Sequence, residues 1–197
     1  MSTIQNGPSE EIVEFHTGKL LIATPELMDS NFFRSVSLLF HHDRTGAGGV
    51  ILNRPSNVTF ADVWDDIAVG SKFADHPIHA GGPVEGPLMG LHSNNLGNVE
   101  RQILPGIWLS VTKDLLGELI TEHTESIKIF SGYAGWGPGQ LEREIQAGGW
   151  LTLDCQADDI FETPEEIWRS ACSQVGNQIM FAGKRDDSVS KIDPLAN

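Results

Sequence analysis

FRSVSLLFHHDRTGAGGVILNRP, residues 33–55, decides the fold. Residues 34–43 alternate, so that in an extended chain Val36, Leu38, Phe40 and His42 share one face. DRTGAG turns the chain. GGVILNRP, residues 48–55, then returns with Val50, Leu52 and Arg54 on one face and Ile51 and Asn53 on the other. Two such runs around a short glycine-containing turn read as an antiparallel β-hairpin. On this reading His42 is turned inward. His41 points the other way, so the two adjacent imidazoles cannot chelate one ion together.

Working outward, KLLIAT (19–24) is a short buried strand stopped by Pro25, and residues 1–16 form a polar lead-in. After the hairpin, Thr59 and Asp62 resemble a capping box ahead of an apolar stripe of Phe60, Val63, Trp64 and Ile67. PIHAGGPVEGPLMGLHS (77–93) reads as two strands around a turn at Gly81, Gly82 and Pro83. IWLSVT (107–112) is a strand leading into a helix that carries Leu115, Leu116, Leu119 and Ile120. SIKIF (126–130) and WLTLDC (150–155) are further strands. Between them QLEREI is a short helix closed by Gly148 and Gly149. Thr163, Pro164 and Glu166 start the last helix, whose apolar face is Ile167, Trp168, Ala171, Cys172 and Val175. Strands come first as a hairpin and later alternate with helices. That order favours one α+β domain over residues 17–182 with a mixed sheet, followed by a polar tail at 183–197.

Composition excludes several classes. With 13 basic against 27 acidic residues the net charge is −14, which repels polyphosphate. Direct binding of nucleic acid or of an anionic membrane is therefore not expected. No basic helix-turn-helix face is present, and no apolar run approaches the roughly 20 residues of a membrane span. The opening MSTIQNGPSEE lacks the basic and apolar regions of a signal peptide. The two cysteines, Cys155 and Cys172, show no CxxC spacing. They read as free, buried thiols of a cytoplasmic protein.

The glycine-rich stretch FSGYAGWGPGQLEREI (130–145) invites a phosphate-loop reading. Gly132 and Gly137 have the Walker spacing, but Pro138 stands where the lysine must be. Gly135 and Gly137 begin a dinucleotide fingerprint, but Gln140 replaces its last glycine. No cofactor is expected from either motif. Two readings remain: the glycines let Tyr133 and Trp136 fold back onto the sheet, or the loop walls a ligand pocket in front of a helix N-terminus.

Among the seven histidines, a site built from His42, His79 and His92 across neighbouring strands is conceivable, but satisfied core histidines are the commoner outcome, and no metal is assigned. No GxSxG elbow is present, and His92 with its neighbour Ser93 diverges on a strand. Asp65–Asp66 and Asp158–Asp159 read as solvated partners of helix ends.

Taken together, GKLLIATPEL, the 33–55 hairpin, Gly81–Val84, Leu91–Ser93 and above all GYAGWGPGQLEREI (132–145) resemble the bacterial YqgE/AlgH family across nearly the whole chain. The resemblance implies a single α+β domain with mixed, partly barrel-like sheet flanked by helices. It also implies a regulatory association, with no specified chemistry. Where the family often carries an acidic residue before the His-Asp pair, this chain has His41. The resulting expectation is a regulatory module that binds a small molecule or a protein partner. Its candidate pocket comprises His42, Asn53, Arg54, Gly81, Gly82, Pro83, His92, Ser93, Tyr133, Trp136 and Gln140. The alternative is a small enzyme using His42 or His92 as acid–base in the same pocket.

Overall fold

In the computed structural model, which describes residues 14–64, 73–95, 101–121 and 126–186, the hairpin organises one of two sheets. The apolar KLLIA run is β1 (Lys19–Ala23), and the two hairpin arms are β2 (Val36–Asp43) and β3 (Gly46–Ile51). β4 (Pro55–Thr59), β5 (Pro77–Ala80), β6 (Met89–His92), β7 (Arg101–Leu104) and β8 (Ile107–Ser110) follow, then α1 (Lys113–Thr121). The chain ends with β9 (Ile127–Ser131), β10 (Ala134–Trp136), α2 (Gln140–Gln146), β11 (Trp150–Asp154), α3 (Ala157–Phe161) and α4 (Pro164–Asp186).

The first sheet has the order β10-β3-β2-β1-β11 and the second β4-β5-β9-β6-β8-β7. All pairs in the first are antiparallel; in the second, β5 and β9 run parallel. The architecture is thus the α+β domain with mixed sheets read from the sequence, and neither sheet closes into a barrel among the described residues.

Strand alternation sorts the apolar residues into layers. Leu20, Ile22, Val36, Leu38 and Val50 of the first sheet, with Leu52 just after β3, meet Met89, Leu91, Leu109 and Phe130 of the second, with Ile160 and Ile167 of α3 and α4 closing one side. Leu21, Leu39, Ile51 and Trp150 face the opposite way, toward Leu141 of α2. Ile78, Ile127 and Ile129 point from the second sheet to Leu116, Leu119 and Ile120 of α1. Each fully buried Leu or Ile contributes about 1.5–3 kcal/mol of transfer free energy, so the middle layer is the main source of cohesion.

Three sequence readings change. The register of β2 on β3 shifts between Leu39 and His41, leaving Phe40 as the extra residue of a β-bulge. Beyond it His42 lies opposite Ala47, on the Leu39–Ile51 face and not with Val36 and Leu38. One inserted residue inverts the parity, because side chains alternate with period two. Cys155 is buried, but Cys172 is exposed: Ile167 and Ala171 of the same helix face reach the core, while Cys172 borders a groove. Finally, Thr59 does donate through its backbone N–H and its hydroxyl to Asp62 Oδ2, at 2.7 and 2.8 Å, but residues 61–63 form turns. Asp65, Asp66 and Ile67 lie outside the described residues. So do 1–13 and 187–197 of the two polar ends; α4 itself runs past Gly183 to Asp186.

Candidate functional site

The glycine segments meet each other. Gly81 N–H donates to the Ser131 carbonyl, Val84 and Tyr133 exchange backbone bonds at 2.9 and 3.0 Å, and Ile51 N–H reaches the Gly81 carbonyl at 2.8 Å. This last bond ties β3 of one sheet to the end of β5 in the other. A Cβ on Gly81 would land on the Gly132 carbonyl oxygen, and one on Gly82 on the Tyr133 backbone. Only glycine permits backbones this close. Pro83 is exposed at the tip, and the half-buried Tyr133 ring lies 6.5 Å from that of Phe40.

Beyond Tyr133 the loop is braced by one carboxylate. Trp136, only 5% exposed, and Trp150 both donate their indole N–H to Glu144 Oε2. Gln140 donates to Glu144 Oε1 at 2.9 Å and accepts the Gly137 N–H at 3.0 Å. The loop's polar groups are thus committed to one another.

The histidines are dispersed. His42 Nδ1 accepts the His16 N–H at 3.0 Å, which places the ring proton of the neutral form on Nε2, facing Glu142 Oε1 at 3.2 Å. Its side chain is wholly buried on the α2 side of the first sheet. His92 lies in the second sheet, with Nε2 2.9 Å from the Ser110 hydroxyl, both residues sealed from solvent. Ser93 is half-buried, its hydroxyl 3.4 Å from Asn94 Oδ1. His42, His92 and Tyr133 therefore do not share one pocket. Among the described residues no group of three His, Cys, Asp or Glu could hold a metal ion.

Asn53 and Arg54 have a different task. Asn53 accepts the Val36 N–H and donates to the Arg34 carbonyl, each at 2.9 Å, and the Arg54 guanidinium donates to the Phe33 carbonyl at 2.9 Å. Together they clamp the chain at Arg34, which holds φ +55° and is the one non-glycine described residue with positive φ. Such a conformation costs about 1–3 kcal/mol and persists only where the surroundings enforce it.

The clamp projects Phe33, 69% exposed, and Arg34 onto the rim of a groove of about 430 Å³. Thr24 and Pro25 after β1, Leu151 of β11, and Trp168, Cys172 and Val175 of α4 complete it. The Arg34 guanidinium lies over two aromatic rings, 5.9 Å from the centre of Phe33 and 5.7 Å from that of Trp168. It has no carboxylate partner among the described residues. Partial burial raises the Cys172 thiol pKa, opposed by the Arg34 charge.

Two buried titratable groups complete the polar inventory. Burial, with the Lys128 charge second, pushes His79 down to about 4; burial pushes Lys128 down to about 8. The sequence reading named His79 only as a metal candidate and overlooked Lys128, because one lysine in SIKIF reads as the solvated side of a strand.

Two face-packed sheets, one mixed, with α2 and α1 on their outer faces and α3 and α4 closing one side, define an α+β domain with an apolar groove beside α4. The chain belongs to the YqgE/AlgH family: the family model described as AlgH-like (DUF179) matches residues 20–180. A UPF0301 protein of Myxococcus xanthus is 37% identical over 162 residues, covering 80% of this chain and 89% of that one. A UPF0301 protein of Streptomyces coelicolor is 37% identical over 182 residues, covering 87% and 93%. The solution structure of AlgH from Pseudomonas aeruginosa aligns with a TM-score of 0.70 at 30% identity, covering 88% of this chain and 93% of that one. A crystal structure from Corynebacterium diphtheriae, TM-score 0.66 at 24% identity over 82% and 87% of the two chains, shares the fold.

Proposed function

We propose that the protein is a cytosolic regulatory module that binds an apolar carboxylic acid in the groove between Phe33–Arg34 and α4. The observation that carries this reading is Arg34. An exposed guanidinium, held in a costly backbone conformation by Asn53 and Arg54, stands beside an apolar slot with no carboxylate to pair with. Arginine stacked on aromatic rings still presents its N–H edge for bidentate carboxylate recognition. The groove's volume falls within the ~300–1,000 Å³ usual for small-molecule sites. Direct binding to duplex DNA is not part of this function, because a net charge of −14 opposes it. No helix among the described residues is long and apolar enough to cross a membrane.

Calorimetric titration with octanoate, with octanol as the uncharged control, tests the reading. Octanoate should saturate one site and octanol bind at least about tenfold more weakly, since a charge-assisted bond is worth about 1.5–3 kcal/mol. Arg34→Gly removes the guanidinium while relieving the positive φ, so the variant should fold and lose the preference. Equal binding of acid and alcohol, or an unaltered Arg34→Gly titration, overturns the proposal.

A further inference from the structure

A second opening, about 170 Å³, is bounded by β5, β9 and α3. Phe60, Phe73 and Phe161 supply apolar wall, and His79 of β5 and Lys128 of β9 supply polar groups. The two polar residues are only 5% and 7% exposed. Lys128 Nζ donates to the Glu162 backbone carbonyl at 3.1 Å, and no carboxylate lies in contact with it among the described residues. His79 Nδ1 is buried and completes no hydrogen bond of good geometry, although the backbone carbonyls of Pro77 and Ile129 bear on the ring.

We propose that this cavity binds a small carboxylate with a short apolar tail, its oxygens taken by the Lys128 ammonium and the His79 Nδ1–H and its tail by the phenylalanine rings.

The argument starts from cost. A buried charge without a contacting counter-ion is expensive, and so is a buried ring nitrogen without a partner. The bond to the Glu162 carbonyl, at the C-cap of α3, accounts for one of the three ammonium protons and does nothing for His79. A single carboxylate satisfies both residues at once. Size limits the guest: a water occupies roughly 30 Å³ of liquid, so the cavity admits about five or six heavy atoms. Three aromatic walls favour an alkyl carboxylate over phosphate, whose oxygens need donors on every side.

The charge states agree with this placement. With Lys128 at about 8 and His79 at about 4, the site at pH 7 holds an ammonium beside a neutral imidazole. His76 on the wall bears weakly on His79, and Glu162, beside the cavity and not lining it, has one carboxylate oxygen buried without a hydrogen-bond partner and a charge that supports the ammonium. Only the protonated lysine attracts the anion. Affinity is therefore full about one pH unit below the Lys128 pKa of about 8 and falls by up to about tenfold per pH unit above it, until the raised pKa of the complex is reached.

Propionate is the probe, titrated into the full chain and followed by calorimetry and by amide NMR shifts, with 1-propanol and inorganic phosphate as comparison ligands. Propionate should saturate, with shifts at Phe60, His79 and Phe161. Propanol should bind at least about tenfold more weakly, and phosphate should not saturate. Lys128→Met, which keeps the length of the side chain and removes its charge, should lose propionate binding at least about tenfold. Independently of any variant, propionate should raise the titration midpoint of Lys128 followed through its labelled ε-carbon. The proposal is overturned by undiminished binding to Lys128→Met, by shifts that cluster at Arg34 instead, by phosphate competing equally, by an absence of saturation at about 100 mM, or by an unmoved Lys128 midpoint.

Discussion

The indole nitrogens of Trp136 and Trp150 converge on one oxygen, Glu144 Oε2, at 3.0 and 2.8 Å, with their rings edge to face at 5.8 Å. Trp136 ends β10 within the glycine-rich stretch and Trp150 begins β11, so a single α2 side chain locks the two strands together.

Glu144→Ala leaves two buried indole N–H groups without acceptors and releases Gln140. It should destabilise the fold by about 2–6 kcal/mol, since each unsatisfied buried donor costs about 1–3. Trp136→Ala should cost about 3–5 kcal/mol through the cavity it opens. Gln140→Ala, exposed and bonded at both ends, should cost about 1 kcal/mol. Urea denaturation of the three variants checks the order, and a Glu144→Ala midpoint equal to wild type would remove the carboxylate from this role.

Gly81→Ala should be far more damaging than its one methyl group suggests. The added Cβ meets the Gly132 carbonyl oxygen, and neither backbone can yield without breaking the Ile51–Gly81 bond that joins the sheets. A loss of several kcal/mol, or failure to express as folded protein, is expected. Gly148→Ala is the control: its Cβ meets nothing within 4 Å, and only the positive φ of +81° is strained, at about 1 kcal/mol.

His79 should make stability pH-dependent. Its folded pKa, about 4, lies below the unfolded value of 6.5. The contribution is therefore complete above about pH 6.5 and is lost as pH falls toward 4, where the unfolded state binds the extra proton. Between pH 6.5 and 5 the loss should reach about 2 kcal/mol. His79→Leu should flatten this slope, and identical slopes in the two proteins would contradict the placement.

The thiols should react unequally. Cys172 is exposed beside Arg34, whereas burial pushes the Cys155 thiol up to about 12. Mass spectrometry after brief treatment of the native protein with an alkylating reagent should find Cys172 modified and Cys155 intact. Octanoate in the groove should slow the Cys172 reaction.

The main frame was legible because it rests on short-range patterns: alternation in SVSLLF, the turn at DRTGAG, and the Thr163–Glu166 box, whose hydroxyl–carboxylate bond forms at 2.6 Å. The bulge at Phe40 was not, since LFHH continues the alternation without a break and only pairing with β3 reveals the extra residue. The edge strand at Ala134–Trp136 was hidden inside a glycine-rich run whose extended state depends on β3. Site residues were legible in part. Asn53 and Arg54 were singled out, but their clamp on Phe33 and Arg34 depends on the turn-back of the hairpin. Lys128 and Arg34 carried no local signal, because burial and backbone sign are set by tertiary packing.

β1 lies between β2 and β11, with Lys19 opposite Asp154. During synthesis its two sides are therefore completed at very different times. The β2 side can pair once the hairpin has emerged, whereas the other side must wait until nearly the whole domain has left the ribosome. A nascent chain arrested before Trp150 leaves β1 as an open edge that β11 later covers, a surface that templates association with other chains. The first sheet is thus complete only when its last strand in the sequence, β11, has been made.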